Sequence, residues 1–173
     1  MRRIGFLKDW VMVASAFILA GSTFGIWASR IPAFVIRFDL SPSQLGGFLF
    51  LLAFGAILSF ACSGFLSDKF GAARITKILA CLCISVFVCL PLTNDLLIFG
   101  VFLFLFGMFN GGLDISMNVW ASEVQRRYEK QVLSSFHAMF SLGAGIGAVL
   151  GFGAASNEMS IQANFFIGAI FLT

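Results

Sequence analysis

The chain has 173 residues, of which 60% are hydrophobic and 11% are charged, and its formal net charge is +3. A soluble globular domain carries about 25% charged residues, so this composition excludes an ordinary soluble domain, and no basic run is present to bind a nucleic acid. The apolar residues lie in long blocks, which is the pattern of membrane-spanning helices.

Five segments are long and apolar enough to cross a bilayer, which takes about 20 mostly apolar residues in a helix. They are predicted over residues 10–31, 43–63, 75–92, 96–119 and 132–154. A sixth apolar helix is predicted over 162–173 and is incomplete as a span. The blocks are continuously apolar and do not alternate, which excludes the strands of a membrane barrel. The predicted fold class is an all-α membrane protein.

The first segment follows the basic residues Arg2, Arg3 and Lys8, in a pattern similar to a twin-arginine export signal. A signal peptide has an apolar region of about 7–15 residues before its cleavage site. Here the apolar run continues from Trp10 to Ile31, and further apolar segments follow. We therefore predict an uncleaved first helix with a basic cytoplasmic flank.

Serine and proline mark several of the predicted helix ends. Ser41 followed by Pro42 is typical of an N-cap and a first helical position, and it predicts the start of the second helix. Pro32 is predicted just past the end of the first helix, and Pro91 near the end of the third.

The distribution of Lys and Arg predicts the orientation of the chain. With the N-terminus in the cytoplasm, only Arg30 and Arg37 of the eleven Lys and Arg residues fall in outer segments. Cytoplasmic segments carry the excess of positive charge in membrane proteins. We therefore predict a multi-pass protein with a cytoplasmic N-terminus.

The segment between the second and third predicted helices combines glycine, aspartate and basic residues in a fixed order. Its members, called the signature segment below, are Gly64, Leu66, Asp68, Lys69, Gly71 and Arg74. Glycine allows a tight turn, and Asp68 is predicted just before the third helix, whose N-terminal end favours a carboxylate. The pattern and its position resemble the signature of the major facilitator superfamily, and a solvated inner loop is the alternative interpretation.

The resemblance implies a fold, a partner and a role for the signature segment. In this superfamily the loop latches the two transporter halves together on the cytoplasmic side, so Asp68 is implied as the latch carboxylate with Lys69 and Arg74 as its charged partners. Residues 1–173 are implied to form the N-terminal six-helix bundle of a twelve-helix transporter. The bundle is then cut off within its sixth helix and lacks the C-terminal half of the same transporter.

Three further stretches are similar to bacterial members of the superfamily related to fucose-permease-like sugar transporters. They cover residues 27–32, 111–118 and 134–143. This resemblance implies a small polar solute such as a sugar as the substrate, and the bacterial cytoplasmic (inner) membrane as the location.

A polar stripe follows one face of the fourth predicted helix. Asp114 is the only acid well inside a predicted span, and Asn110 and Asn118 lie four residues before and after it. Residues four apart share a helix face, and a carboxylate within a membrane normally faces a cavity or a partner. We predict that the stripe lines a transport path in which Asp114 binds a proton or a polar substrate group. A structural cluster of hydrogen bonds is the alternative.

Three other residues are candidates for the same path. His137, the single histidine, is predicted at a depth similar to that of Asp114, so either a proton relay or a packing role is open. Arg30 and Trp27 lie at the outer end of the first helix. Arg30 is predicted to bind an anionic substrate or to gate the outer face, with an interfacial charge as the alternative.

The fifth predicted helix carries a ridge of small residues. Gly143, Gly147 and Gly151 recur every four residues, which favours tight helix packing. Drug antiporters of the superfamily carry a Gly-Pro motif in this helix and an Arg in the fourth. The absence of both here favours symport or uniport.

No motif indicates enzyme chemistry, a cofactor or a metal. The four cysteines, Cys62, Cys81, Cys83 and Cys89, lie in apolar stretches and are interpreted as small buried hydrophobes. The predicted function is secondary active transport of a small polar solute by alternating access and proton symport, with the solute, protons and the lipid bilayer as partners. The alternatives are a drug or metabolite efflux transporter and a multi-helix membrane assembly protein that does not transport.

Overall fold

The computed structural model describes residues 2–172, with side chains described from Ile4 to Leu172. Its six α-helices are α1 (Arg2–Phe38), α2 (Pro42–Phe70), α3 (Ala72–Cys89), α4 (Leu96–Tyr128), α5 (Leu133–Ser156) and α6 (Ile161–Leu172). One turn of 3₁₀ helix, Leu90–Leu92, follows α3. Between residues 2 and 172 there is no β-strand, so the predicted all-α fold class is confirmed.

Five of these helices, α1 to α5, are long and apolar enough to cross a membrane. The sixth is an apolar helix of 12 residues. The helices form a partial transmembrane bundle, as the hydropathy pattern predicts.

The first helix extends beyond its predicted range of 10–31 at both ends, and the prediction that it ends before Pro32 is wrong. Pro32 lies inside α1, which continues to Phe38. Proline removes one intrahelical hydrogen bond. Membrane helices tolerate this loss because neighbouring helices and local adjustments satisfy the freed backbone group.

The second and fourth helices continue past their predicted ends at residues 63 and 119. α2 ends at Phe70, where Gly71 has a φ of 90° that few other residues adopt. α4 ends at Tyr128, where Glu129 has a left-handed φ of 53°. Hydropathy predicts the part of a helix that lies in lipid, and both helices extend beyond it into polar sequence.

The predicted start of the second helix at Ser41 and Pro42 is confirmed. The Ser41 hydroxyl accepts a hydrogen bond from the Gln44 backbone nitrogen at 3.3 Å, and the Gln44 side chain accepts one from the Ser41 backbone nitrogen at 2.9 Å. This reciprocal pair is a capping box. The start of α4 is capped by Asp95, whose carboxylate accepts from the Ile98 backbone nitrogen at 2.9 Å.

The bundle is built from two parallel helix pairs in close contact, α1 with α5 and α2 with α4. Gly147 of α5 lies against the backbone of α1, and a Cβ there would come within 3.0 Å of the Ile26 nitrogen. In the other pair, a Cβ at Gly111 of α4 would lie 2.7 Å from the Ala56 Cα. Small residues permit this backbone approach.

The predicted glycine ridge of the fifth helix, Gly143, Gly147 and Gly151, is buried along the contact with α1. The Ser22 hydroxyl of α1 donates to the Gly143 carbonyl at 3.1 Å and strengthens the same contact.

The interpretation of the cysteines as small buried hydrophobes is wrong for two of them. Cys83 is buried and Cys89 half-buried, whereas Cys62 and Cys81 are exposed. Cys81 and Cys83 point to different sides of α3, as their spacing of two residues requires. All four thiols are free.

Candidate functional site

A cavity of about 290 Å³ opens between α1, α2, α4 and α5. Most of the residues that line it are apolar, four of them phenylalanines, and two carry polar side chains. The lining residues are Ala20, Phe24, Leu52, Ala56, Phe60, Phe106, Gly107, Asn110, Gly111, Asp114 and Phe140. Gly107 and Gly111 belong to the contact of α4 with α2, so the same glycines bring the helices together and shape the cavity wall.

Asp114 and Asn110 are the polar side chains of the cavity wall, and both belong to the predicted stripe. Asn118, the third member, is the hydrogen-bond partner of the carboxylate. Its amide nitrogen donates to Asp114 Oδ1 at 3.2 Å and to the Asp114 backbone oxygen at 2.8 Å. The Asn110 amide points elsewhere, toward the Cys83 sulfur of α3 at 3.9 Å.

The Asp114 carboxylate has no Lys or Arg partner among the described side chains. The ion pair that residues 4–172 contain joins Arg127, in the last turn of α4, to Asp9 of α1. A carboxylate within a membrane-spanning helix normally faces a cavity or a partner, and Asp114 faces this cavity.

His137 of α5 lies three residues before Phe140, which lines the cavity together with Asp114. Its ring is exposed and rests edge-on against Phe17, with the centroids 5.6 Å apart. No direct hydrogen bond between His137 and Asp114 is present among the described side chains. A path between them therefore needs a bridging water or a side-chain movement.

Trp27 and Arg30 do not line this cavity. Trp27 is buried between α1 and α4, with its ring 6.2 Å from that of Phe106. Arg30 is buried as well, and its Nη2 donates to the Met159 carbonyl in the connection between α5 and α6 at 2.8 Å. The six predicted path residues thus divide into four near the cavity and two packed in the C-terminal part of α1.

Comparison with known proteins gives the family of the chain. The sequence profile of the Major Facilitator Superfamily matches residues 2–148. The chain belongs to this superfamily. No solved structure matches the chain.

Three curated relatives agree with the superfamily assignment. The chain is 39% identical over 170 residues to the uncharacterized transporter y4wD of Sinorhizobium fredii, with 98% of this chain and 45% of the relative covered. It is 31% identical over 143 residues to an uncharacterized MFS-type transporter of Yersinia pestis, covering 82% and 37%. It is 28% identical over 141 residues to membrane protein MosC of Rhizobium meliloti, covering 82% and 34%. The chain spans less than half the length of these relatives.

Most of the signature segment is helical, although it was predicted as a loop. Gly64, Leu66, Asp68 and Lys69 belong to α2, and Gly71 alone joins α2 to α3. Asp68, which was predicted just before the third helix, lies in the last turn of α2. The residue that precedes α3 is Gly71, and no side chain caps that end.

The charged groups of the signature segment face outward. Asp68, Lys69 and Arg74 are exposed, and none of them forms an ion pair within residues 4–172. The Lys69 ammonium lies over the Phe70 ring, 5.2 Å from its centroid. These charges are therefore available to a partner outside the described bundle.

A cluster formed by the N-terminal part of α1 and the C-terminal end of α4 was missed by the sequence analysis. Asp9 Oδ2 accepts hydrogen bonds from Arg127 Nη1 and from the Tyr128 hydroxyl, both at 3.0 Å. The Lys130 ammonium lies 3.9 Å from the centroid of the Phe6 ring, which also meets Tyr128 edge-on. Asp9 is more than a hundred positions from Arg127 and Tyr128 in sequence. The only sequence signal for their contact is that basic and acidic residues occur close together in each of the two segments.

Proposed function

We propose that the chain is the N-terminal half of a secondary active transporter that moves a small polar solute across a bacterial cytoplasmic membrane together with protons. The observation that carries the proposal is the unpaired Asp114 carboxylate on the wall of a cavity between four membrane-spanning helices. Membership of the superfamily supports transport as the activity.

The second half of the transporter is proposed to supply the opposite wall of the path. In transporters built from repeated halves, the solute and coupling-ion sites lie near the middle of the membrane at the interface of the repeats. The shares of 45%, 37% and 34% of the relatives' lengths support the presence of a second half. The exposed Asp68, Lys69 and Arg74 are proposed to latch the halves on the cytoplasmic side.

Asp114 is proposed to carry the coupled proton. Its partner Asn118 holds the carboxylate by one side-chain hydrogen bond at 3.2 Å and leaves its other oxygen without a partner among the described residues. His137, three residues before the cavity-lining Phe140, is proposed to exchange protons with Asp114 through a bridging water. A cytoplasmic N-terminus is proposed from the distribution of Lys and Arg.

The solute is proposed to contact both kinds of group on the wall. Asn110 and Asp114 offer hydrogen bonds, and Phe24, Phe60 and Phe140 offer flat apolar surfaces. Binding sites for small molecules commonly combine an apolar lining with a few polar groups that fix orientation. A sugar with one polar and one apolar face suits this wall, in keeping with the similarity to fucose-permease-like transporters.

The same wall supports one alternative function, the efflux of an organic cation in exchange for protons. A carboxylate beside phenylalanine rings is suited to a positively charged group, because a cation is attracted to the face of an aromatic ring. In this case Asp114 binds the solute and the proton in turn.

The experiment that tests the proposal is uptake by the full-length transporter in proteoliposomes, driven by an imposed pH gradient. Asp114→Asn keeps the size of the side chain and removes the titratable group, and gradient-driven uptake should be lost. Asp95→Asn is the matched control, because it makes the same change on the same helix and asparagine also caps helices well. Uptake that survives Asp114→Asn and still follows the pH gradient would reject the proton role.

Replacing His137 tests the proposed proton exchange by itself. Under the relay proposal, His137→Gln alters the dependence of uptake on pH while solute binding is retained. An unchanged pH profile would leave His137 as a packing residue against Phe17 and remove it from the path.

A further inference from the structure

Arg30 carries a positive charge in the interior of the bundle and has no acidic partner within residues 4–172. Its side chain is 4% exposed, and its Nη2 donates to the Met159 carbonyl at 2.8 Å. Its Nε is buried and has no hydrogen-bond partner. Burial of a charged group is unfavourable unless hydrogen bonds satisfy it fully, so the vacant Nε donor calls for an acceptor nearby.

Asn164 of α6 has a buried hydrogen-bond acceptor without a donor. It is also 4% exposed, and its Oδ1 is buried without a donor. Most buried polar atoms in native proteins have at least one partner. An orphaned N–H donor and an orphaned carbonyl acceptor in one bundle are chemically matched.

The packing of α1 against α6 puts residues 30 and 164 at a similar level along the two helices. A Cβ on Gly168 would lie 2.6 Å from the Ile26 side chain, and the ring centroids of Phe34 and Phe165 are 5.9 Å apart. The helices are therefore antiparallel. Residue 30 lies one turn beyond Ile26 toward Phe34, and residue 164 lies one turn before Gly168. Residues four apart share a helix face, so both point into the same interface.

We propose that the Arg30 guanidinium and the Asn164 amide oxygen, which are not directly bonded in the structure, are joined through one enclosed water, and that this pair fastens the C-terminal part of α1 to α6. The guanidinium then holds two groups from the same region, the Met159 carbonyl directly and the Asn164 amide oxygen through the water. Arg30 is accordingly a positioning residue whose partners belong to the protein, and it is not a contact for an anionic solute.

The pair has a structural consequence for the outer side of the bundle. α1 already packs along α5 through the Gly143 to Gly151 ridge, and the Arg30 pair adds α6 and the connection between α5 and α6. The outer ends of these three helices are thereby tied into one unit. This inference rests on packing alone and does not depend on the proposed transport function.

The test measures whether a carboxylate at position 164 raises or lowers the thermal unfolding midpoint of the purified protein, with and without the Arg30 guanidinium. In the native background, Asn164→Asp supplies the buried guanidinium with a carboxylate, and the midpoint of thermal unfolding should rise by about 2–4 °C. In an Arg30→Gln background the same substitution buries an unpaired carboxylate, and the midpoint should fall. If Arg30 and Asn164 stabilised the protein independently, Asn164→Asp would shift the midpoint in the same direction in both backgrounds. Opposite shifts therefore indicate that the two residues interact.

Asn157→Asp is the matched control. Asn157 lies in the connection between α5 and α6, close to Met159, but it is exposed and donates to the Gly153 carbonyl. Its effect should be the same with Arg30 and with Gln at position 30. If the Arg30→Gln protein cannot be purified, two variants with Arg30 intact test the pair. Asn164→Asp should raise the midpoint and Asn164→Leu should lower it. A fall with Asn164→Asp in the native background, or the same sign in both backgrounds, overturns the pair.

Discussion

Asn118 lies one helical turn beyond Asp114, and its amide nitrogen donates to the Asp114 carboxylate at 3.2 Å. The bond fixes the direction of the carboxylate on the cavity wall. Asn118 therefore acts on the path through Asp114 and does not line the cavity itself.

Removing this amide should impair transport while the fold is retained. A hydrogen bond to a charged group is worth about 1.5–3 kcal/mol, so we expect Asn118→Leu to lower the rate of gradient-driven uptake by about tenfold or more. Ser122→Ala is the control, since Ser122 bonds only the Asn118 backbone carbonyl, at 2.9 Å. Equal uptake by the two variants would contradict an orienting role for Asn118.

The glycine ridge gives a stability prediction with a control in the same helix. A Cβ at Gly147 would come within 3.0 Å of the Ile26 nitrogen, whereas one at Gly145 would meet nothing within 4 Å. Overpacking costs about 1–3 kcal/mol, so Gly147→Ala should lower the midpoint of thermal unfolding in detergent clearly and Gly145→Ala should not. A similar midpoint for both variants would show that α5 does not pack on α1 through this ridge.

The cluster around Asp9 should contribute only weakly to stability. Arg127 is 63% exposed in its side chain, and Asp9 is 18% exposed. Exposed ion pairs contribute about 0.2–1 kcal/mol and are screened by salt. We expect Asp9→Asn to lower the unfolding midpoint slightly at low ionic strength, and the difference should disappear in about 1 M salt. A large loss that persists at high salt is the outcome this account does not allow.

Replacing Asp68 should affect the rate of transport but not the stability of the protein. The residue is exposed and forms no ion pair within residues 4–172, so Asp68→Asn should leave the unfolding midpoint unchanged. If the residue latches the two halves, the same variant should transport several-fold more slowly. Asp39→Asn, which changes an exposed aspartate at the outer end of α1, is the control for both measurements. Normal uptake by Asp68→Asn would refute the latch.

Hydropathy and charge were enough to predict the helical class and the spans, because the bilayer imposes continuous apolar segments on any helix that crosses it. They could not predict where the helices end. Pro32 is compatible with a membrane helix that is supported by its neighbours, and the polar turns that precede Tyr128 are helical without being apolar. The N-cap at Ser41 was predictable because a capping box is local.

The candidate site was predictable only as far as it lies on one helix. The spacing of Asn110, Asp114 and Asn118 defines a face of α4, and the structure places that face beside a cavity. Arg30 and Trp27 were expected on the same path, yet they pack elsewhere, because Trp27 meets Phe106 of α4 and Arg30 bonds the connection between α5 and α6. Contacts between distant helices depend on packing that no local pattern reveals.

The central claim is that Asp114 carries the proton that moves with the solute. The most direct measurement is the pH of a lightly buffered suspension of vesicles containing the full-length transporter when solute is added. We predict alkalinisation of the medium with the native protein and with Asp95→Asn, and none with Asp114→Asn, although solute still binds. Solute-dependent proton uptake by the Asp114→Asn protein would contradict the account.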